Sequence, residues 1–214
     1  MTDLVTVLQH SPMDVFDHAD LGVLLFGMSA AARHNKLSRE VKQGNLIRLK
    51  RGVYALGKRY QRKGLHPFVV AHKLYFPSYI SFESALSHYG LIPEAIPETT
   101  CATTKPSVQI QTPIGTYSYR WLPLHVFSSG VLHENKQGYV FLIASPLKAL
   151  LDLVYVHKKQ YTNLADIEAD LRLNLPQLVA LLSEETNKDI AALKHIYTRP
   201  HVDRVIDAIL WELL

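Results

Sequence analysis

The sequence contains one cysteine, Cys101, and this scarcity limits the chemistry that the chain can use. A single cysteine forms no internal disulfide and leaves no CxxC zinc signature. Because Cys101 lies in the strand-like stretch ETTCATT, we expect it to be a small buried hydrophobic residue. None of the 11 histidines belongs to an HExxH motif or to a pair at i,i+4, the spacing that places two ligands on one helix face. The sequence therefore predicts no metal site and no cofactor.

Long hydrophobic runs are also missing. No segment reaches the ~18 uncharged apolar residues that a membrane-spanning helix needs. The N-terminal stretch MTDLVTVLQHSPMDVF lacks the basic region and the continuous apolar core of a signal peptide. We therefore expect a cytoplasmic protein with no membrane partner.

Motifs for nucleotide binding and catalysis are scarce, since the chain contains neither GxxxxGK[ST] nor GxGxxG. The stretch HENK, 133–136, offers a Glu-x-Lys as in restriction-type nucleases, but no Asp occurs between Asp20 and Asp152 to precede it as a metal ligand. We interpret HENK as a polar hairpin turn and expect no enzyme, with a nuclease as the least favoured alternative. For Glu83 and His88, packing or capping is favoured over a catalytic pair.

Acidic residues are nearly absent from one part of the chain. Residues 1–65 contain 11 Lys and Arg against 5 Asp and Glu, a net charge of +6, whereas residues 66–214 contain 12 against 14, a net of −2. All 11 of these cations lie between Arg33 and Lys63, where Glu40 is the one acid. Such a surface attracts polyanions, and nucleic acid is the first candidate. A solvated basic face is the alternative that charge alone leaves open.

Two helices are predicted ahead of this basic stretch and within it. Asp17, with Asp20 three residues later, is typical of a helix start, and this helix ends at Gly27. In MSAAARHNKLSREVKQG, Ser29 is the expected N-cap and Gly44 the residue that ends the helix.

The second of these helices has two different faces. At 100° per residue, Ala30, Leu37 and Val41 fall on one narrow face, with His34 near it. The opposite face is small, polar and cationic, and consists of Ala32, Asn35, Lys36, Arg39 and Gln43. Alanine permits close approach, Asn and Gln pair with adenine, and Arg or Lys bind guanine or phosphate. We therefore predict that Asn35, Lys36, Arg39 and Gln43 contact DNA in the major groove.

The next stretch, NLIRLKRGVYAL, predicts a basic β-hairpin. Segments 46–49 and 53–56 have strand-forming composition, and Gly52 in the turn can take a positive φ. Two helices followed by a hairpin are typical of a winged helix-turn-helix, which we assign to residues 1–64. The hairpin residues Arg48, Lys50 and Arg51 are then expected to contact phosphate or the minor groove.

The remainder, 65–214, predicts a mixed α+β domain. Short helices are expected in HPFVVAHKLYF and SFESALSHYG, the latter with Ser81 as N-cap. Strands are expected in TTCATT, SVQIQT, GTYSYRWL, LHVF and GYVFLIA, which together predict a predominantly antiparallel sheet. Ser145-Pro146 begins a further helix. The tail from Asn163 is expected to be helical, with a capping pattern at Thr186 and Asp189.

The last helix carries an apolar stripe, for which the sequence leaves two roles open. Its members are Val202, Val205, Ile206, Ile209, Leu210 and Leu213. The stripe either completes the core of the domain, which we favour, or binds a toxin or a second subunit with Trp211 as an aromatic anchor.

Several of these stretches together resemble the AbiEi antitoxins, also described as transcriptional regulators of viral defence systems. LSREVKQGNLIRLKRGVYAL is similar to their winged-helix segment, and the similarity continues in YISFESALSHYGLIPEAIP, TPIGTYSYR and ASPLKALLDLVY. It spans about Asp17 to Val156. One departure is Pro146-Leu147-Lys148, where Pro-Glu-Lys is expected, and the lost carboxylate is a helix-dipole partner that contributes about 1 kcal/mol or less.

The resemblance implies a DNA-binding antitoxin of a type IV toxin–antitoxin, or abortive infection, system. Its N-terminal domain would repress its own promoter, a double-stranded DNA operator. Its domain at 65–214 would antagonise a nucleotidyltransferase-like toxin, directly or indirectly. The alternative is a stand-alone transcriptional regulator whose C-terminal domain senses a ligand or dimerises.

Overall fold

The chain divides into two units. In a computed structural model, residues 4–93, 97–182 and 187–212 are described, with the backbone alone at 187–189 and 191. One unit comprises Met1–Phe76 and Gln111–Gly115, and the other comprises Pro77–Ile110 and Thr116–Leu214. The sequence predicted a boundary after residue 64, whereas the helix that follows this point belongs to the first unit.

The first unit consists of helices and short strands. They are α1 (Leu4–Gln9), β1 (Val15–Phe16), α2 (His18–Leu24), α3 (Ala30–Lys42), β2 (Leu46–Lys50), β3 (Val53–Leu56), a 3₁₀ turn (Lys58–Tyr60) and α4 (Pro67–Leu74). The strands form an antiparallel sheet in which β3 lies between β1 and β2. Strand β1 is too short to show an alternating pattern and was not predicted from the sequence.

The predicted helix starts at Asp17 and Ser29 are confirmed in detail, whereas Ser81 precedes α5 without a capping hydrogen bond from its side chain. The Asp17 carboxylate accepts hydrogen bonds from the backbone N–H of Ala19 and Asp20, and the Asp20 carboxylate accepts from the Asp17 N–H at 2.8 Å. This reciprocal capping box satisfies donors that the first turn of a helix leaves free. Ser29 Oγ accepts from the Ala32 N–H at 3.2 Å, and Gly44 follows α3 with φ +72°.

The helices of the first unit bury apolar side chains against the sheet. Phe16 and Leu56 from the strands are fully buried, and Leu21 from α2 and Leu37 from α3 are nearly so. Leu4, Val5 and Leu8 bring α1 into the same cluster. Since α2 and α3 share this core with β2 and β3, packing fixes the position of the hairpin relative to α3.

The second unit is a mixed α+β assembly. Its strands are β4 (Ser78–Ile80), β5 (Glu98–Thr103), β6 (Val108–Thr112), β7 (Gly115–Trp121), β8 (Val131–Lys136) and β9 (Tyr139–Ala144). The last two residues of β6 and the first residue of β7 belong to the segment Gln111–Gly115 that is grouped with the first unit. Its helices are α5 (Phe82–His88), α6 (Leu124–Phe127), α7 (Pro146–His157), α8 (Leu164–Leu171), α9 (Leu175–Leu182), α10 (Asn187–Tyr197) and α11 (Pro200–Glu212). The α+β class predicted from the sequence is confirmed.

The six strands form one sheet in the order β6-β7-β5-β4-β9-β8. The pairs β4–β5 and β8–β9 are antiparallel, as predicted, but β5–β7 and β4–β9 are parallel. Two local predictions were wrong. HENK lies on strand β8 and not in a turn, and LHVF is one helical turn, α6, because Pro123 precedes it as N-cap and only Val126 is buried.

Helix α7 is the core helix of the second unit. Every residue from Pro146 to Val154 is buried, and the Ser145 hydroxyl caps the helix as predicted. It packs against α5, α9 and α11. On α11, Val202, Val205, Ile206 and Ile209 are buried, which favours the core role for this stripe, and Trp211 is 91% exposed. The predicted capping pair Thr186 and Asp189, and Leu213, lie outside the residues or side chains that the structure describes.

Within the described ranges, no helix is long and apolar enough to cross a membrane.

Candidate nucleic-acid interface

Helix α3 presents most of its predicted polar face to solvent. Asn35, Arg39 and Gln43 are exposed and follow one another at intervals of four residues, so they form a line along the helix. Ala32 is exposed beside them, whereas Lys36 is half-buried. From Asn35 to the C-cap residue Gln43, the outward face of α3 therefore carries amide and guanidinium groups over about two turns.

The opposite face of α3 differs from the prediction at its first turn. Leu37 is buried and Val41 is half-buried, as expected, but Ala30 and His34 are exposed. Ala30 is the first residue of the helix, and at this end the helix extends beyond the apolar cluster. The apolar contact of α3 is therefore made by its middle and C-terminal turns.

Glu40, the one acid between Arg33 and Lys63, is turned inward. Its side chain is 7% exposed, and its Oε2 accepts a hydrogen bond from Asn45 Nδ2 at 2.7 Å. Asn45 Oδ1 in turn accepts from the Arg59 guanidinium. Glu40 therefore stabilises the junction between α3 and β2 and places no carboxylate beside the outward cations of α3.

The β2–β3 turn carries the other predicted cations. Arg48 pairs across the hairpin with Tyr54, and Lys50 with Val53, so that Arg51 and Gly52 form the turn. Gly52 has φ +80°, a conformation that other residues adopt at a cost. Arg48 and Arg51 are exposed, while Lys50 is half-buried with its Nζ 5.7 Å from the centroid of the Tyr75 ring. Lys50 is therefore less available to a ligand than the sequence predicted.

A groove of about 360 Å³ lies between α3 and this hairpin. Its lining includes the cations Arg33 from α3 and Arg48 and Arg51 from the hairpin, together with His34 from α3 and His18 from α2. No acid lines it. The structure thus brings Arg48 and Arg51 together with Arg33 and His34, which sequence reasoning missed because they lie on the side of α3 that was expected to face the core.

Arg33 has an incompletely satisfied guanidinium in this groove. Its Nη2 donates to the Met28 carbonyl at 3.4 Å, but its Nε is buried and has no hydrogen-bond partner among the described residues. A buried donor without an acceptor is costly, so this guanidinium has hydrogen-bonding capacity that its neighbours do not use.

The two acids at the start of α2, Asp17 and Asp20, form ion pairs with Lys73 of α4. Lys73 Nζ lies 3.2 Å from Asp17 Oδ2 and 2.7 Å from Asp20 Oδ2. Burial alone would raise the pKa of Asp17, but the hydrogen bond from Asp20 N–H and the charge of Lys73 outweigh it, and the pKa of Asp17 is lowered. Likewise, burial acts to lower the pKa of Lys73, while the hydrogen bond and charge of Asp20 prevail and raise it. The carboxylates of Asp17 and Asp20 are therefore both paired with a cation of the first unit, Lys73.

The second unit contains a buried polar cluster that the sequence did not reveal. Lys148 and Asp152, four residues apart on α7, form an ion pair at 0% exposure. Asp152 also accepts hydrogen bonds from Tyr79 OH at 2.9 Å, Ser81 Oγ at 2.7 Å and Tyr197 OH at 2.6 Å. The i,i+4 spacing of Lys148 and Asp152 on an otherwise apolar helix was the sequence signal that could have indicated this cluster. Because no member of the cluster is accessible to a ligand, its role is structural.

The weak catalytic candidates are separated in the structure. His88 Nε2 lies 2.7 Å from Glu134 Oε2, and Glu83 is instead 3.9 Å from His157. A Glu83–His88 pair, the alternative that the sequence did not favour, is absent from the ion pairs of the described chain. Across the same residues, no group of three or more His, Cys, Asp or Glu side chains is arranged to hold a metal ion. Cys101 is fully buried, and burial raises the pKa of its thiol.

No protein-family model matches this sequence. A search of curated proteins also finds no significant match.

Proposed function

We propose that the first unit is a winged helix-turn-helix domain that binds double-stranded DNA. In this proposal α3 enters the major groove and the β2–β3 turn contacts the phosphate backbone. The observation that carries it is the position of Glu40. With this acid buried and bonded to Asn45, the outward face of α3 and the adjacent turn present cations and amides with no carboxylate from residues 33–63 beside them.

Different residues serve different roles in this proposal. Asn35, Arg39 and Gln43 read base edges, since amide and guanidinium groups form paired hydrogen bonds with adenine and guanine. Arg48 and Arg51 bind phosphate, with Arg33 as a further donor from the groove between α3 and the hairpin. Lys36 and Lys50, both half-buried, make smaller contributions.

We further propose that the chain is an antitoxin that represses its own operon and antagonises a nucleotidyltransferase-like toxin through the second unit. This proposal rests on the resemblance of several motifs between Asp17 and Val156 to the AbiEi antitoxins. The DNA-binding proposal rests on the first unit and stands independently of it.

DNA binding is tested by fluorescence anisotropy with the DNA immediately upstream of the gene for this chain, beside a scrambled duplex. Arg39→Ala is expected to weaken specific binding about ten- to hundredfold and to reduce the preference over scrambled DNA. Arg51→Ala is expected to weaken both duplexes alike. Lys136→Ala, which removes an exposed cation of the second unit, is the matched control and should bind as the unchanged protein does. If the unchanged protein and the three variants bind DNA equally, the assignment of α3 and the hairpin as the DNA-binding surface is refuted.

The antitoxin role is tested by growth rescue. The neighbouring gene is expressed alone and together with this chain, and rescue of growth supports the proposal. Arg39→Ala combined with Arg51→Ala should still rescue when the protein is made from a foreign promoter, because the DNA-binding surface is then not needed. Specific DNA binding without rescue would instead favour a stand-alone regulator.

A further inference from the structure

The second unit contains a cavity of about 620 Å³, within the range of roughly 300–1,000 Å³ in which proteins bind small molecules. Residues from three parts of the unit line it: the end of β7, the C-terminal end of α7 with the segment after it, and the start of α11. The side chains that matter for recognition are Trp121, Tyr155, Lys158, Gln160, Arg199 and His201.

The charged groups in the lining are all cationic. Lys158 is exposed, and its backbone at φ +52° is the left-handed end of α7. The guanidinium carbon of Arg199 lies 5.9 Å from the centroid of the Tyr155 ring, which holds this side chain at the wall of the cavity. Since none of the described residues that line the cavity is acidic, it favours an anion.

The cavity also offers an aromatic surface on which a flat ring of a ligand can stack. Trp121 is 50% exposed, an unusual exposure for so large an aromatic side chain, and it lines the cavity together with Tyr155. Stacking on an aromatic side chain contributes about 1–3 kcal/mol per nucleobase, and every base has a face that can use it. The Tyr155 ring is itself held by the Tyr197 ring, with centroids 5.7 Å apart.

His201 contributes a polar atom without a partner. Its ring bonds to the backbone of Tyr155, while its Nε2 is buried and has no hydrogen-bond partner in the described part of the chain. Burial lowers the pKa of His201, and the charges of Arg204 and Arg199 lower it further, against smaller opposing effects of the hydrogen bond to the Tyr155 backbone and of the Asp203 charge. The imidazole is therefore neutral at neutral pH, and with one nitrogen donating to the Tyr155 carbonyl, Nε2 is an acceptor for a hydroxyl or amino group.

Another part of the wall is fixed before any ligand arrives. Gln160 Oε1 accepts a hydrogen bond from Arg204 Nη2 at 2.6 Å, and Gln160 Nε2 donates to the Lys158 carbonyl at 3.2 Å. A prearranged lining lowers the entropic cost of binding.

We propose that this cavity binds a nucleoside phosphate. The base stacks on Trp121, the phosphates lie against Lys158 and Arg199, and His201 Nε2 accepts a hydrogen bond from a hydroxyl or amino group of the ligand. No covalent step is involved. The site belongs to the second unit alone and does not depend on the DNA-binding proposal.

The test uses the full chain with Trp211→Phe, which leaves Trp121 as the sole tryptophan. ATP and GTP are titrated while Trp121 fluorescence is recorded, and isothermal titration calorimetry repeats the measurement. Adenosine and tripolyphosphate, each carrying half of the proposed ligand, are titrated in parallel. We expect at least one nucleotide to quench Trp121 saturably and to bind at least tenfold more tightly than either half.

Three variants locate the binding. Arg199→Ala is expected to weaken nucleotide affinity about ten- to hundredfold, the loss of a charge-assisted hydrogen bond. Lys158→Asn removes the second cation while keeping a residue that tolerates the left-handed backbone, and should also weaken binding. Arg120→Ala removes the exposed cation next to Trp121 on the opposite face of β7 and should leave the affinity unchanged.

The proposal is overturned by any of three results. One is the absence of saturable binding of both nucleotides. Another is tripolyphosphate binding as tightly as ATP, which would mark a plain anion site. The last is nucleotide affinity that persists in Arg199→Ala and Lys158→Asn but falls in Arg51→Ala, which would place the ligand on the first unit.

Discussion

Asp152 is the centre of the buried polar cluster of the second unit, since its carboxylate accepts hydrogen bonds from Lys148, Tyr79, Ser81 and Tyr197. Burial acts to lower the pKa of Lys148, and the charge of Asp152 only partly offsets it, so the pKa of Lys148 is lowered. The pKa values of Tyr79 and Tyr197 are raised by burial and by the Asp152 charge. Lys148, Tyr79 and Tyr197 each donate a hydrogen bond to the Asp152 carboxylate, and all three would lose this acceptor if Asp152 were replaced.

Asp152→Ala is predicted to lower the free energy of unfolding by about 3–5 kcal/mol, because it leaves the buried Lys148 ammonium without its counter-ion. Urea unfolding followed by circular dichroism measures the loss. The double variant Lys148→Met with Asp152→Leu is the control, since it removes both charges and should cost less than Asp152→Ala alone. A double variant less stable than the single one would contradict this account.

Lys73 gives the first unit a pH-dependent contribution to its stability. The pKa of Asp17 is lowered on folding, so the stabilisation is present above its unfolded value of 3.8 and is lost as pH falls through the folded pKa. The stability lost in Lys73→Met should therefore be largest near neutral pH and should shrink below about pH 3.8. Urea midpoints across this range test it, with Lys58→Met, an exposed cation, as control. An equal loss at neutral and acid pH would count against the ion pair.

At the scale of the secondary-structure elements, the junction of α3 with the hairpin is closely packed around Gly57. A Cβ at Gly57 would lie 2.3 Å from the Gly44 carbonyl oxygen and 2.9 Å from that of Asn45. These are backbone atoms, which cannot rotate away. The Gly57 N–H also donates to the Asn45 carbonyl at 2.7 Å, so the close approach is part of the fold.

Gly57→Ala is predicted to destabilise the first unit by about 1–3 kcal/mol through this overlap. Gly22→Ala is the matched control, since its Cβ would meet only Arg33 Nη1 at an ordinary 3.6 Å. Because Gly22 lies inside α2, alanine there should stabilise by about 0.5–1 kcal/mol. Thermal unfolding distinguishes the two variants, and a tolerated Gly57→Ala would show that the junction is looser than described.

Element types were predictable wherever local signals and burial agreed. The Asp17–Asp20 capping box, the Ser29 cap and the β2–β3 turn follow from residues a few positions apart. The short apolar run LHVF was misassigned because periodicity does not separate four apolar residues of a strand from one helical turn. Strand β4, Ser78–Ile80, was missed because its pairing partners β5 and β9 are distant in sequence.

At the scale of the whole molecule, charge is divided unevenly between the two parts of the chain. The excess of cations lies between Arg33 and Lys63, and the remainder from residue 66 onward has a net charge of −2. DNA affinity is therefore predicted to fall steeply with salt, since each phosphate that is neutralised releases counter-ions.

The slope of log affinity against log salt should lose about one unit of magnitude in Arg51→Ala and should not change in Lys136→Ala. Anisotropy titrations between about 50 and 200 mM salt measure both slopes. A slope that is flat in the unchanged protein, or that changes equally in the two variants, would remove the electrostatic basis of the DNA-binding proposal.

The sequence by itself determined the α+β class, the helix caps, the hairpin and the cationic excess of residues 33–63, because these depend on residue type and short-range spacing. It also placed Asn35, Arg39 and Gln43 on one face of a helix. Only the tertiary structure decided that Glu40 turns inward, that Arg33 joins Arg48 and Arg51 in one groove, and that Trp121 and His201 line one cavity. Burial and proximity between distant segments arise from packing, which local patterns do not encode.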